Sequence, residues 1–148
     1  MQRLILFLVL LLFPLTAIAG EKIRGTNFFV EDEQSWETGD ESGYWMWHGK
    51  GISQMHEGPL ESTAIECHGA GGWDKDGSWG EGICVETVGD DTHTSGWKRD
   101  KGEELGQWKY LSGIGKFAGR TGGGTYKNHP MPGGHSVSEF EGEVTLAE

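Results

Sequence analysis

Few side chains in this sequence combine the type and the spacing that chemistry needs. His129-Pro130-Met131-Pro132-Gly133-Gly134-His135 puts two imidazoles and a thioether on one short stretch, and Met46, His48, Met55 and His56 fall near one another. Imidazole with thioether suits copper. The spacings match no standard site, and the prolines and glycines of the first stretch suit an ordinary hairpin connection, so no metal ligand is assigned and no cofactor is implied. Asp74, Asp76, Ser78 and Glu81 offer oxygens of the kind calcium takes, but without helix–loop–helix spacing. No Ser-His-Asp or Cys-His arrangement is recognisable, and no catalytic residue is assigned. The many acids are what a soluble, mutually repelling surface requires.

The tryptophans carry more information. Trp45 and Trp47 alternate in one run, and Trp97, Trp108 and Tyr110 belong to others. Alternate residues of a strand share a face, so in a small barrel these rings either fill the interior or line a cavity at its mouth. A cavity would take an apolar or aromatic small ligand, with Glu86 and Arg120 as the polar groups near it.

Strands must position these side chains. Glycine punctuates the whole sequence beyond residue 19, and no window of a dozen residues has clean helical periodicity. Short runs rich in β-branched and aromatic residues recur between Gly and Asp clusters, as in antiparallel β proteins. The clearest is Ser138–Leu146, where Phe140, Val144 and Leu146 alternate with Glu139, Glu141 and Glu143. Further strands are expected at Lys22–Val30, Gly43–Met55, Pro59–His68, Ser78–Val88, Thr92–Arg99, Gln107–Leu111 and Gly123–Lys127. Acidic Glu31–Glu41 reads as a loop and Asp100–Glu104 as a charged connection. About eight strands predict an all-β fold, an eight-stranded antiparallel barrel without free sheet edges; a two-sheet sandwich is the alternative.

Asp74-Lys75-Asp76-Gly77 reads as a turn between the two cysteine-bearing runs. The hairpin would set Cys67 across from Cys84, and an exported chain with two cysteines usually pairs them. A direct Cys67–Cys84 pair, however, puts Ile65 and Glu86 on one side of the sheet. Either Glu86 points inward, or Ile65 points outward, or a bulge resets the register.

The N-terminus supplies the compartment. Leu4–Leu15 is apolar apart from Pro14, and Ala17-Ile18-Ala19 fits signal-peptidase cleavage before Gly20. Residues 1–19 are therefore expected to be a signal peptide and 20–148 a single barrel domain, exported to the periplasm or secreted. The apolar run is about a dozen residues, short of the roughly 20 a spanning helix needs, and no membrane span is expected after cleavage. The 148-residue chain has 12 Lys+Arg against 23 Asp+Glu, a net charge of −11, and loses only Arg3 with the leader. Such acidity argues against nucleic acid and anionic membranes. Six Phe, seven Trp and three Tyr argue against disorder.

Gly113-Ile114-Gly115-Lys116-Phe117-Ala118-Gly119-Arg120-Thr121-Gly122 reads G-x-G-x-F-x-G-x-x-G. It is no nucleotide fingerprint, because no helix or βαβ unit follows. The run resembles the segment shared by plant allene oxide cyclases and dirigent proteins. Cys84 with Gly89-Asp90-Asp91, and the closing Gly142-Glu143-Val144-Thr145-Leu146, resemble features of small exported bacterial proteins with that barrel. The resemblance spans Pro59–Leu146. It implies an eight-stranded, calycin-like antiparallel barrel, a homo-trimer as in the plant families, and Phe117 packed inside. Allene oxide cyclases isomerise an oxylipin epoxide and dirigent proteins steer phenol coupling, but no catalytic residue of either maps onto this chain. The reading is an exported, non-catalytic barrel that binds a small apolar or aromatic ligand or another exported protein. The rivals are an isomerase or cyclase acting on an oxidised lipid, and a purely structural interaction module.

Overall fold

A computed structural model describes residues 20–147. The leader expected at 1–19 lies outside them. The chain forms β1 (Glu21–Gly39), β2 (Ser42–Glu57), β3 (Thr63–Asp74), β4 (Gly77–Val88), β5 (Asp91–Arg99), β6 (Gly106–Gly113), a 3-10 turn (Gly115–Phe117), β7 (Thr121–Met131) and β8 (His135–Thr145). Each strand is antiparallel to the next and β8 returns to β1, closing the barrel and excluding a sandwich.

The alternation seen in β8 holds around the sheet. Phe29, Trp47, Cys67, Cys84, Trp97, Trp108, Tyr126 and Phe140 face inward. Their neighbours, among them Lys50, Glu66, Glu81, Lys98 and Glu139, face outward. Ile23, Leu60, Tyr126, Phe140 and Val144 make one buried cluster. Phe29, Ile65, Cys67 and Cys84 make another. Fully burying a side chain the size of Ile23 or Val144 contributes about 1.5–3 kcal/mol. Leu60, on the β2–β3 connection, and Phe117, on the 3-10 turn, are both buried and close one end of the barrel.

The glycine run performs that closure. Gly115 adopts φ +61°, and a Cβ there would stand 1.7 Å from the Asp91 carboxylate. A Cβ on Gly113 would stand 2.3 Å from the Phe117 carbonyl oxygen. Only glycine lets the chain turn this tightly and return Phe117 to the interior, where it is 2% exposed.

Two expectations need correction. Glu31–Glu41 is not a loop, because β1 runs on to Gly39 and pairs with β2 as far as Gly39–Ser42. Its acids are poor strand formers, but pairing with aromatic β2 overrides local preference. β3 begins at Thr63 rather than Pro59 and continues to Asp74. Gly58, at φ +103°, ends the preceding strand, and the chain then turns Leu60 inward.

The β3–β4 turn falls where expected, with the Asp76 N–H donating to Asp74 Oδ1 at 2.9 Å and Gly77 at φ +130°. Asp74 also pairs with Lys101, and Ser78 accepts from Arg99, so these oxygens serve the turn and its neighbours. Cys67 and Cys84 are paired in register and joined by a disulfide. Ile65 stands opposite Glu86, and both are buried. The register is therefore regular and Glu86 points inward. The disulfide, and the lack of a helix among the described residues long and apolar enough to cross a membrane, are compatible with an exported protein.

Candidate ligand cavity

A cavity of about 430 Å³ occupies the barrel interior. Glycines make the room. On β3 and β4, the inward rungs beyond the disulfide are Gly69–Gly82 and then Gly71–Gly80, two successive pairs without side chains. Aromatic rings from elsewhere lie against this bare backbone. A Cβ on Gly69 would come within 2.1 Å of the Trp97 ring, and one on Gly80 within 2.4 Å of the Trp45 ring. The rings order one another as well. Trp45 and Trp97 are parallel at 6.4 Å, and Trp47 meets Trp97 edge-on at 6.0 Å.

Six of the seven residues expected near a ligand, namely Trp45, Trp47, Trp97, Trp108, Tyr110 and Glu86, line this cavity. Arg120 does not reach its wall. It lies at the closed end, its guanidinium 4.5 Å from the Phe117 ring centre and 5.7 Å from that of Tyr110. The turn that buries Phe117 draws Arg120 over the aromatic layer beneath the cavity.

Glu86 belongs to a buried polar group at the cavity floor. The Thr63 hydroxyl donates to Glu86 Oε2 at 2.6 Å, and His93 Nε2 lies 3.1 Å from Oε1. The His93 ring is 2% exposed and meets Tyr110 and Phe117 edge-on, each at 4.7 Å. Among the described residues neither ring nitrogen of His93 finds a well-aimed hydrogen bond; the contact with Glu86 is one of proximity rather than direction. Burial, aided by the Glu86 carboxylate, pushes the Tyr110 phenol up to about 12.

The prolonged β1 adds polar groups at the opposite, open end. Glu31 and Glu33 continue the inward series from Phe29, and Trp73, Ser78 and Arg99 complete the rim. Trp47 Nε1 donates to Glu31 Oε1 at 2.8 Å, and the Ser136 hydroxyl donates to the same oxygen. Trp97 Nε1 and Asn27 Oδ1 are buried on the wall without a hydrogen-bond partner among the described residues.

Sequence reading missed Glu31, Glu33, Trp73, Arg99 and His93. The first two were detectable, because the odd-numbered inward series continues past Val30. His93 sits two and four residues before Ser95 and Trp97, on the same face of β5.

The histidine and methionine groupings do not converge as read along the chain. Met55 packs against the core while Met46, His48 and His56 lie on the outer side of β2. His129 lies 3.3 Å from Glu139 on the outer face.

No family model matches the sequence, and no curated protein matches it closely. Among solved structures, a pterocarpan synthase dirigent protein aligns over 87% of this chain and 91% of its own, with a TM-score of 0.52 and 11% identity. The chain therefore has a dirigent-like barrel fold, and at that identity the likeness is one of fold. The attachment invasion locus protein Ail of Yersinia pestis aligns over 87% of this chain and 99% of its own at 7% identity, with a TM-score of only 0.24.

Proposed function

We propose that this is an exported binding protein whose barrel holds a small, largely apolar or aromatic molecule. The observation that carries the reading is the cavity of about 430 Å³ walled by Trp45, Trp47, Trp97 and Trp108, within the range of small-molecule sites. The unpartnered Trp97 Nε1 and Asn27 Oδ1 supply one donor and one acceptor to orient a ligand. Among the described residues the wall carries Glu31, Glu33 and Glu86 against a single cation, Arg99, so its field favours a neutral or cationic ligand over an anion. That counts against a lipid carboxylate. Glu86 has Thr63 and His93 beside it and is not the isolated buried carboxylate an acid–base enzyme would favour. Export rests on the apolar leader with Ala17-Ile18-Ala19 and on the disulfide.

Titration of the mature protein with a neutral aromatic probe, N-phenyl-1-naphthylamine, tests the reading through tryptophan quenching. Saturable 1:1 binding is expected, weakened about tenfold or more in Trp97→Ala. Native mass spectrometry of protein taken from its export compartment should reveal a retained molecule. A bare mass together with no saturable quenching would overturn the proposal.

A specific observation favours a protein contact in addition. Phe28 and Ile52 are paired across β1 and β2 and face outward at 45% and 58% exposure, with Val30 beside them at 62%. This apolar patch suits a second copy of the chain, as in the trimer the family resemblance implies, or another exported protein. Ile52→Glu should shift any oligomer seen by size-exclusion chromatography toward monomer.

A further inference from the structure

The outer wall carries a cluster that the cavity does not explain. His48 on β2 and His68 on β3 are directly opposed in register. Both face outward, since Trp47 and Cys67 beside them face in. Their rings are parallel within 7° at 4.4 Å. Glu66 occupies the next outward position on β3, with Oε1 3.0 Å from His48 Nε2 and 3.5 Å from His68 Nε2. One donor atom from each residue falls within 4.8 Å of the other two.

We propose that His48, Glu66 and His68 form a binding site for a borderline divalent transition metal, of the Cu(II), Zn(II) or Ni(II) class, on the outside of the barrel. Two imidazoles with one carboxylate are the donor set such ions take, and hard ions such as magnesium and calcium prefer all-oxygen sites. At metal–ligand bonds of about 2.0–2.1 Å, two donors on one ion stand roughly 2.9–3.4 Å apart. The 3.0 Å separation of Glu66 from His48 falls within that range, and the 3.5 Å separation from His68 lies just above it. Convergence of the two nitrogen lone pairs requires the parallel rings to tilt toward each other. Two paired strands of a closed barrel hold all three residues, so little order has to be gained on binding. Asp32, opposite His48 on β1 and also outward, brings a second acid to the row.

Lys50 supplies the competing interaction. Its Nζ lies 3.2 Å from the same Glu66 oxygen, and it is the main reason the Glu66 carboxyl is held below its ordinary value, with His48 second. A metal ion would displace this ammonium, so Lys50 lowers the affinity of the site without donating to it. The cluster could not be found along one strand. Its members come from two strands, and register alone makes them neighbours.

Calorimetric titration of the mature protein with Cu(II) and separately with Zn(II), followed by the visible absorption of bound Cu(II), tests the site. One ion per chain is expected, with Cu(II) tighter than Zn(II). His48→Ala and His68→Ala should each weaken binding by about tenfold or more. Lys50→Ala should tighten it. A variant with both His129→Ala and His135→Ala should bind as the parent does. His48→Gln and His68→Gln repeat the test with polar replacements, and near-UV circular dichroism reports whether the barrel is intact. Absence of heat and absorbance change would overturn the proposal. So would binding unaltered by the His48 and His68 substitutions, or lost with His129 and His135.

Discussion

The indole of Trp97 rests on the backbone of Gly69 and Gly82, which face each other across β3 and β4. A Cβ at Gly69 would meet the ring at 2.1 Å and the Glu81 carbonyl oxygen at 3.0 Å. Gly69→Ala should therefore push Trp97 into the cavity, cost about 1–3 kcal/mol by urea denaturation, and weaken the aromatic probe. Gly89→Ala is the control. No atom of the described residues lies within 4 Å of its Cβ position, so only the left-handed backbone, φ +61°, penalises it, by about 1 kcal/mol. Equal behaviour of the two variants would refute the packing account.

Glu86 and its partners give a second test. Glu86→Ala strips the Thr63 hydroxyl of its acceptor and leaves His93 without its neighbour, inside the barrel. The expected loss is about 2–4 kcal/mol. Glu86→Gln keeps an acceptor for Thr63 and should cost about 1 kcal/mol. Equal denaturation midpoints for the two variants would show that the Thr63–Glu86 hydrogen bond is not the source of the loss.

The disulfide closes a loop with a sequence separation of 17. Replacing Cys67 and Cys84 together by alanine should cost about 3 kcal/mol on the chain-entropy view. Cys67 is 1% and Cys84 9% exposed and both line the cavity, so a protein reductant, too large to enter the cavity mouth, reaches them only when the barrel opens. The reduction rate should follow the unfolding rate across a urea series. Fast reduction of fully native protein would contradict the inward placement.

Alkaline pH should expose the two inner phenols. Burial pushes Tyr110 and Tyr126 each up to about 12, whereas a phenol in an unfolded chain ionises near 10. The folded chain keeps these protons longer than the unfolded chain does. The associated stability is thus complete below about pH 10 and is lost as pH rises toward 12. In a phenolate absorbance titration, two of the three tyrosines should ionise late or together with unfolding. All three ionising near pH 10 in an intact barrel would contradict this.

Period-two patterning made the barrel and much of the cavity wall legible, because a strand's facing follows from one anchored residue. Trp45, Trp47, Trp97 and Trp108 could be found for that reason. The turn at Asp74–Gly77 likewise brought Cys67 opposite Cys84. Facing was ambiguous where a charge met an apolar partner, as with Glu86 and Ile65, since an inward acid is tolerated only when the fold supplies Thr63 and His93. Local preference misread Glu31–Gly39, whose extended state comes from pairing with β2. Arg120 lies beside Tyr110 rather than on the cavity wall because a 3-10 turn, not a strand, sets its direction. The His48–Glu66–His68 cluster needed the register between two strands, which composition does not carry.

The prolonged β1 has one more consequence. The Glu31 N–H still bonds to the Gly134 carbonyl, but from Asp32 to Glu37 the strand pairs, among the described residues, with β2 alone. One side of its backbone is therefore open to solvent, the sort of template on which a stray strand from another molecule could dock. Asp32, Glu33 and Glu37 lie along this border, with Asp40 and Glu41 at its tip. Another copy approaching edge to edge would bring the same acids against them. The acidity that disguised this segment as a loop thus guards an unfinished sheet against polymerisation.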